Sequence, residues 1–207
     1  LLATASLKAL KAMAKTTKGG PVVVIGLPIS WEGSIWNCAA VLADGRIAGI
    51  VPKSYLPNYK EFYEARWFSP GTASGVQSLD IEGEDIPFGT DLLFDIRRET
   101  AQNLRFAVEV CEDLWVPLPP STLQALAGAQ LILNPSASTE IVGKADYRRS
   151  LVANQSGRAI AAYLYAGAGP TESTTDVVFS GHCLAAENGS IVAESARFSR
   201  ETTSLSV

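Results

Sequence analysis

The stretch that most constrains the fold of this chain is FAVEVCEDLWVPLPP, Phe106 to Pro120. Phe106, Val108 and Val110 alternate with Ala107 and Glu109, the period of two that sends successive side chains to opposite faces of a strand. Cys111 sits where that strand ends, and Glu112 and Asp113 follow at once. Pro117, Pro119 and Pro120 then stop regular structure, and Pro119-Pro120-Ser121 opens a helix. Two readings of Cys111 stand side by side: a small buried hydrophobe, or a nucleophile presented on a strand-to-helix turn. The neighbouring acids raise a thiol's pKa, so a reactive Cys111 needs a cation from elsewhere in the chain.

Two residues could supply it. His182, the one histidine, lies in a Gly-His-Cys turn between strand-like runs and reads as a surface loop. Lys53 ends another strand, in GRIAGIVPKSYLPNY, with Val51, Pro52, Tyr55, Leu56, Pro57 and Tyr59 around it. A lysine among such groups loses hydration and can act as an acid or electrostatic partner; the plain alternative is a solvated strand end.

The remaining elements follow from periodicity and turn chemistry. Leu1 to Lys18 reads as an amphipathic helix, with Leu2, Ala5, Ala9, Ala12 and Met13 on one face and Lys8, Lys11, Lys15 and Lys18 on the other. Gly19-Gly20 ends it, and the apolar run Val22 to Ile25 predicts a strand covered on both faces. Asn37 to Ala43, Asp44-Gly45 and Arg46 to Val51 form a hairpin. Gly71 to Gly89 is loop with one short hairpin, and Arg97 to Asn103 is a polar loop. Leu131 to Leu133 is a buried strand ending at Asn134, Pro135 and Ser136. Gly143 to Arg158 is helical, with Arg148 and Arg149 outward and Leu151, Val152 and Ile160 inward; Ala161 to Ala166 is a strand. Glu187-Asn188-Gly189 turns the last hairpin. The strands ending at Lys53, Cys111 and Ser136 are expected to converge at their tips. From periodicity alone the class is α/β or α+β, one domain over residues 1–207.

Composition excludes more than it assigns. A net charge of −4 gives no case for nucleic acid or an anionic membrane surface. No stretch has the roughly 20 apolar residues needed to span a bilayer. Three unclustered cysteines suit reduced thiols in the cytoplasm and offer no zinc-site spacing.

VPKSYLPNYKEFYEARWFSPG followed by VCEDLWVPLPP resembles the nitrilase superfamily of carbon-nitrogen hydrolases. More narrowly, these strings are similar to the glutaminase domains of glutamine-dependent NAD synthetases, as are LNPSAS, GKADYRR, STTDVVFSG and ENGSIVAES. The resemblance runs from about Pro21 to about Phe198. It implies an α+β fold, the α-β-β-α sandwich, here without its first strand and helix. It also implies an amidase with a Glu-Lys-Cys triad: Cys111 as nucleophile, Lys53 stabilising the oxyanion with backbone N–H groups near Cys111, and a glutamate as general base and acid. That glutamate belongs to a segment preceding Leu1, so the expectation is a fragment of a longer protein.

By the same resemblance, Glu61 braces the lysine and the substrate amide, Tyr59 contacts L-glutamine, and Ser138 and Lys144 bind its α-amino and α-carboxylate ends. Glu112 takes the substrate ammonium, Trp115 walls the pocket, and Asp113 is structural. Each has an ordinary alternative in loop or core packing. The glutaminase step needs no cofactor; ATP, Mg and deamido-NAD belong to a synthetase domain not encoded in these residues. Homo-oligomers are expected. Two other readings remain open, a catalytically incompetent module of this fold and an amidase for another amide or nitrile.

Overall fold

Tight turns between long apolar runs set the first half of the chain. In the computed structural model, which describes residues 1–97, 103–172, 174 and 176–206, the chain forms two units, 1–92 and 93–207.

In the first unit, strands β1 (Val23–Trp31), β2 (Ser34–Ala43) and β3 (Arg46–Pro52) make an antiparallel sheet in sequence order. Asp44 and Gly45 join β2 to β3 with φ of 48° and 85°, the left-handed pair that a type I′ turn demands. The hairpin read from the sequence therefore forms, and Glu32-Gly33 makes a second one between β1 and β2. The Val22–Ile25 run differs from expectation. Val22 is exposed ahead of β1, and Val23 to Ile25 lie in β1 at the edge of the sheet and are only partly buried, whereas Cys38 to Leu42 of the central β2 are almost completely so. Hydropathy does not report which strand is covered: β3, the other edge strand, is mostly buried. Helix α1 (Leu2–Thr16) packs on β1 and β3. Its inward residues are Leu10 and Ala14, with Leu7 beside them, while Leu2, Ala5, Ala9, Ala12 and Met13 face out. The expected face is thus turned around: Leu7 and Leu10 seat against the sheet with Ala14, where the three alanines of the expected face would bury less apolar area. The short hairpin in the Gly71–Gly89 region is β4 (Ser78–Ile81) and β5 (Glu84–Pro87).

The second unit is a six-stranded sheet in the order β11-β10-β9-β8-β7-β6, with β6 Leu93–Ile96, β7 Leu104–Val108, β8 Leu131–Ser136, β9 Ala162–Gly167, β10 Cys183–Glu187 and β11 Ser190–Glu194. Its central strands β7, β8 and β9 are parallel, and the outer pairings are antiparallel. Arg98 to Gln102, most of the polar loop expected at 97–103, lie outside the described residues. Helices α2 (Pro120–Leu126) and α3 (Lys144–Ala159) cover the sheet. Each unit is thus a helical layer on a sheet, the α–β building block of the expected fold. Gly157 lets α3 approach the last hairpin, since a Cβ there would meet Gly189 Cα at 3.1 Å.

A buried polar cluster fastens α3, and here three expectations are corrected. Arg148 is inward, 1% exposed, not outward. Its Nη1 donates to Glu140 Oε2 at 3.2 Å and to His182 Nδ1 at 2.8 Å. His182 is likewise 1% exposed rather than a surface loop residue, and its Nε2–H donates to Glu194 Oε1 at 2.7 Å. Ile160, expected inside, is 80% exposed just past the helix. A guanidinium enters a core only with its donors paired, and those partners come from segments 8 and 34 residues away.

Because Nδ1 must accept from Arg148, His182 has to be neutral. Burial, aided by the Arg148 charge and opposed by Glu194, pushes its pKa below the usual value. A histidine whose folded pKa lies below its unfolded value of about 6.5 leaves its full stability in place above that pH and loses it as pH falls toward the folded pKa. The thermal midpoint should therefore decline as pH drops below about 6.5, and His182→Gln should flatten that part of the profile. An equal slope in both proteins would contradict the assignment.

Candidate active site

The C-terminal ends of the parallel strands are where an α/β sheet gathers polar groups, and in the second unit three segments end there. After β7 the chain passes through Glu109 and Val110 into a tight helical turn, Cys111–Trp115. Val110 N–H donates to Asp113 Oδ2 at 2.9 Å, and Asp113 N–H returns to Val110 O at 3.1 Å, so Asp113 closes the turn. Cys111 opens it at φ 52°. That conformation costs a non-glycine residue on the order of 1 kcal/mol and persists only where neighbours enforce it.

The neighbour is Asn134 of β8, 1% exposed, whose Oδ1 accepts the Cys111 N–H at 3.1 Å. Asn134 Nδ2 donates to the Tyr163 hydroxyl at 2.9 Å, and that hydroxyl donates to Glu109 Oε1. Glu109 Oε2 accepts the Ser121 N–H at 2.8 Å. Tyr163 and Glu109 have no exposure. Burial pushes the Glu109 carboxyl above its ordinary range, while bonds from Tyr163, Ser121 and Asn134 oppose that shift. Burial and then the Glu109 charge push the Tyr163 phenol well up.

Five of the residues expected to act on substrate belong to this unit, and Tyr165 lies near the thiol. Burial raises the Tyr165 phenol to about 12, and the charge of nearby Cys111 adds to this. Its hydroxyl lies near Ser136 and Ser138 but is buried without a well-formed hydrogen bond, as is Ser136 Oγ. Such atoms suit a polar ligand. Ser138, 8% exposed, receives Arg148 Nη2 at 3.4 Å. Lys144 Nζ donates to Thr139 Oγ1 at 3.0 Å and stands 5.3 Å from the centre of the Trp115 ring, which also meets Tyr147 at 5.5 Å. Glu112 is half-buried beside Cys111. The second unit therefore holds Cys111, Glu112, Trp115, Ser138 and Lys144 on β7, β8 and the segments that follow them. Cys38, by contrast, is fully buried in the first unit, and burial pushes its thiol far up.

The first unit holds Lys53, Tyr59 and Glu61. Lys53 follows β3 and is 1% exposed. Its N–H donates to Asn37 O at 2.8 Å and its carbonyl accepts the Gly71 N–H at 2.7 Å. Gly71 is required there, since a Cβ would meet Pro52 O at 2.8 Å. Lys53 Nζ donates to both oxygens of Glu64, at 2.8 and 2.9 Å, and Asn37 Nδ2 reaches Glu64 Oε2 at 3.3 Å. Glu64, three residues beyond Glu61, thus grips the lysine, a partner the sequence reading did not name. Glu64 opens a short helical turn, Glu64–Arg66, which aims its side chain back at the strand end. The sequence signal lies in the same KEFYE string, whose second glutamate is Glu64. Tyr59 is half-exposed and packs edge-on against Phe62.

Comparison with known proteins agrees with these features. The model of the family described as Carbon-nitrogen hydrolase matches residues 2–207. A glutamine-dependent NAD(+) synthetase of Mycobacterium bovis is 46% identical over 178 residues, 86% of this chain and 26% of that protein. The rat protein of the same name is 30% identical over 84% of this chain and 24% of its own length. The chain thus spans about a quarter of these curated relatives. Among solved structures, a glutamine-dependent NAD(+) synthetase from Cytophaga hutchinsonii superposes with a TM-score of 0.83 at 28% identity, over 95% of this chain and 31% of that one. A carbon-nitrogen hydrolase from Helicobacter pylori, 19% identical, shares the fold with a TM-score of 0.69 over 93% of this chain and 64% of its own.

Removing Glu64 leaves an ammonium buried without its ion-pair partner. Glu64→Ala should lower unfolding free energy by about 3 kcal/mol, against about 0.5 kcal/mol or less for a surface change such as Glu84→Ala. Denaturant unfolding of both variants decides, and equal losses would show the ion pair to be inconsequential.

Proposed function

The chain belongs to the carbon-nitrogen hydrolase family, and on that footing we propose that it is the glutamine-hydrolysing portion of a glutamine-dependent NAD synthetase, with Cys111 as its nucleophile. The observation that carries this reading is Cys111 itself. It is held at φ 52° at the end of a parallel strand, beside buried hydroxyls that lack partners.

The Cys111 thiolate attacks the side-chain amide carbon of L-glutamine, forming a C–S bond and a tetrahedral oxyanion. Lys53, its ammonium fixed by Glu64, stabilises that oxyanion together with backbone N–H donors. Cys111's own N–H already donates to Asn134, so those donors are other than the nucleophile's. Collapse breaks the C–N bond; the nitrogen takes a proton and leaves as ammonia. Water then cleaves the thioester to glutamate and returns a proton to the thiol. The family triad assigns the proton transfers to a glutamate. Ser138 and Lys144 hold the α-amino and α-carboxylate ends, Glu112 meets the ammonium, Trp115 forms a wall, and Tyr59 and Glu61 complete the substrate contacts.

The ammonia supplies a synthetase portion of the whole protein, where ATP, Mg and deamido-NAD are used to make NAD. The shared name of the relatives supports this, and one solved NAD synthetase carries ADP. No helix among the described residues is long and apolar enough to cross a membrane, and a cytoplasmic location fits the reaction. A homo-oligomer is part of the reading, and exposed Leu123, Leu126 and Ile160 offer apolar area for it.

Cys111→Ala in the full-length protein should cut glutamine-dependent ammonia release by about a thousandfold or more while leaving synthesis from added ammonia intact. An electrophilic glutamine analogue should label Cys111 and spare Cys38, with glutamine protecting. Retained glutamine-dependent turnover in the variant would overturn the assignment.

A further inference from the structure

The buried chain of hydrogen bonds behind Cys111 has a fixed direction. A backbone N–H can only donate, and one stands at each end: Cys111 N–H on Asn134 Oδ1, and Ser121 N–H on Glu109 Oε2. With Oδ1 committed to Cys111, the Asn134 amide presents Nδ2 to Tyr163, whose oxygen must accept it. Tyr163 has one O–H to give, and it donates to Glu109 Oε1. Both carboxylate oxygens are acceptors, which only a carboxylate supplies without reorientation. Glu109, Tyr163, Asn134 and Ser121 are buried at 0–1% exposure, so within this run water cannot substitute for a partner, and a reversed bond costs its full desolvation.

We propose that Glu109, Tyr163 and Asn134 are positioning residues that act as a polarity lock, with Glu109 fixing the direction of the chain and Asn134 holding the Cys111 backbone in the left-handed conformation that presents its thiol. The inference rests on the reading of Cys111 as nucleophile. Glu109 touches neither the thiol nor its backbone and acts only through Tyr163 and Asn134.

The lock makes an unusual variant informative. In Glu109→Gln the amide oxygen must still accept from Ser121, so its NH2 faces Tyr163. The Tyr163 oxygen then accepts, and its O–H turns to position 134. Asn134 must offer Oδ1 to that hydroxyl and swing its NH2 onto the Cys111 N–H, donor against donor. Placing Asp at 134 removes the conflict, since both of its oxygens accept. The double variant E109Q/N134D also keeps one carboxylate in the cluster.

The experiment uses full-length protein carrying E109Q, N134D, both changes, or Tyr163→Phe, with circular dichroism and melting as folding controls. It measures kcat and KM for glutamine, and separately the rate at which iodoacetamide alkylates Cys111, followed by peptide mapping. E109Q and N134D should each lower kcat and the alkylation rate by about tenfold to about a hundredfold, with KM within about twofold. The double variant should recover most of that loss, whereas independent sites would multiply their losses. Tyr163→Phe, which removes one oxygen, should give a smaller loss in both rates. A double variant as impaired as the product of the singles, or a folded Tyr163→Phe with unchanged kcat and alkylation, overturns the lock. Should glutamine prove not to be a substrate of the wild type, the functional reading fails, and the alkylation rates still decide the lock.

Discussion

One hydrogen bond, from the Cys111 N–H to Asn134 Oδ1, links the sheet of the second unit to its chemistry. A residue with a Cβ does not rest at positive φ without cause. Cys111 does so because three things coincide: β7 ends one residue pair earlier, Asp113 closes the turn on Val110, and Asn134 waits at the end of the adjacent strand. The parallel register of β7 and β8 sets that last coincidence. A shift of one residue would send Asn134 to the other face of the sheet and leave the Cys111 N–H without its acceptor.

The same logic explains why the buried surroundings of the site are polar. Ionisable and hydroxyl groups sit where a sheet of this kind would ordinarily carry aliphatics: Glu109, Asn134, Tyr163, Tyr165, Arg148 and His182 are all almost wholly buried. Burying them is costly unless each donor meets an acceptor. Arg148, His182, Glu140 and Glu194 meet most of that condition by forming one cluster, with Arg148 Nε left over. Glu140 is held low, against the effect of burial, by Ser180, Arg148 and Arg197. The hydroxyls of Ser136 and Tyr165 are among the buried groups without a well-formed hydrogen bond, and Tyr165 lies near the thiol. In the first unit the corresponding device is simpler: a buried ammonium, a carboxylate on both sides of its charge, and a glycine that lets the strand end be clamped.

Much of this was legible in the order of residues. Alternation marked β7, proline marked the start of α2, and Asp44-Gly45 and Asn188-Gly189 marked turns whose positive φ few other pairs tolerate. The KSYLP and CEDLW strings pointed to Lys53 and Cys111 as the residues to examine. These features are local, and local sterics and chemistry act the same way in any fold.

What the sequence by itself determined, then, is the elements, their turns, the family and the two residues on which the chemistry is proposed to rest. Only the tertiary structure decided the partners. It put Glu64 on Lys53, turned α1 onto Leu7 and Leu10, moved β1 to an edge, drew Arg148 and His182 inside, and joined Glu109 to Tyr163 across 54 positions of chain. The reason is physical. A charged or hydroxyl-bearing side chain reads as surface until its partner is known, and the partner is fixed by strand order and register, which span distances along the chain that no local pattern encodes.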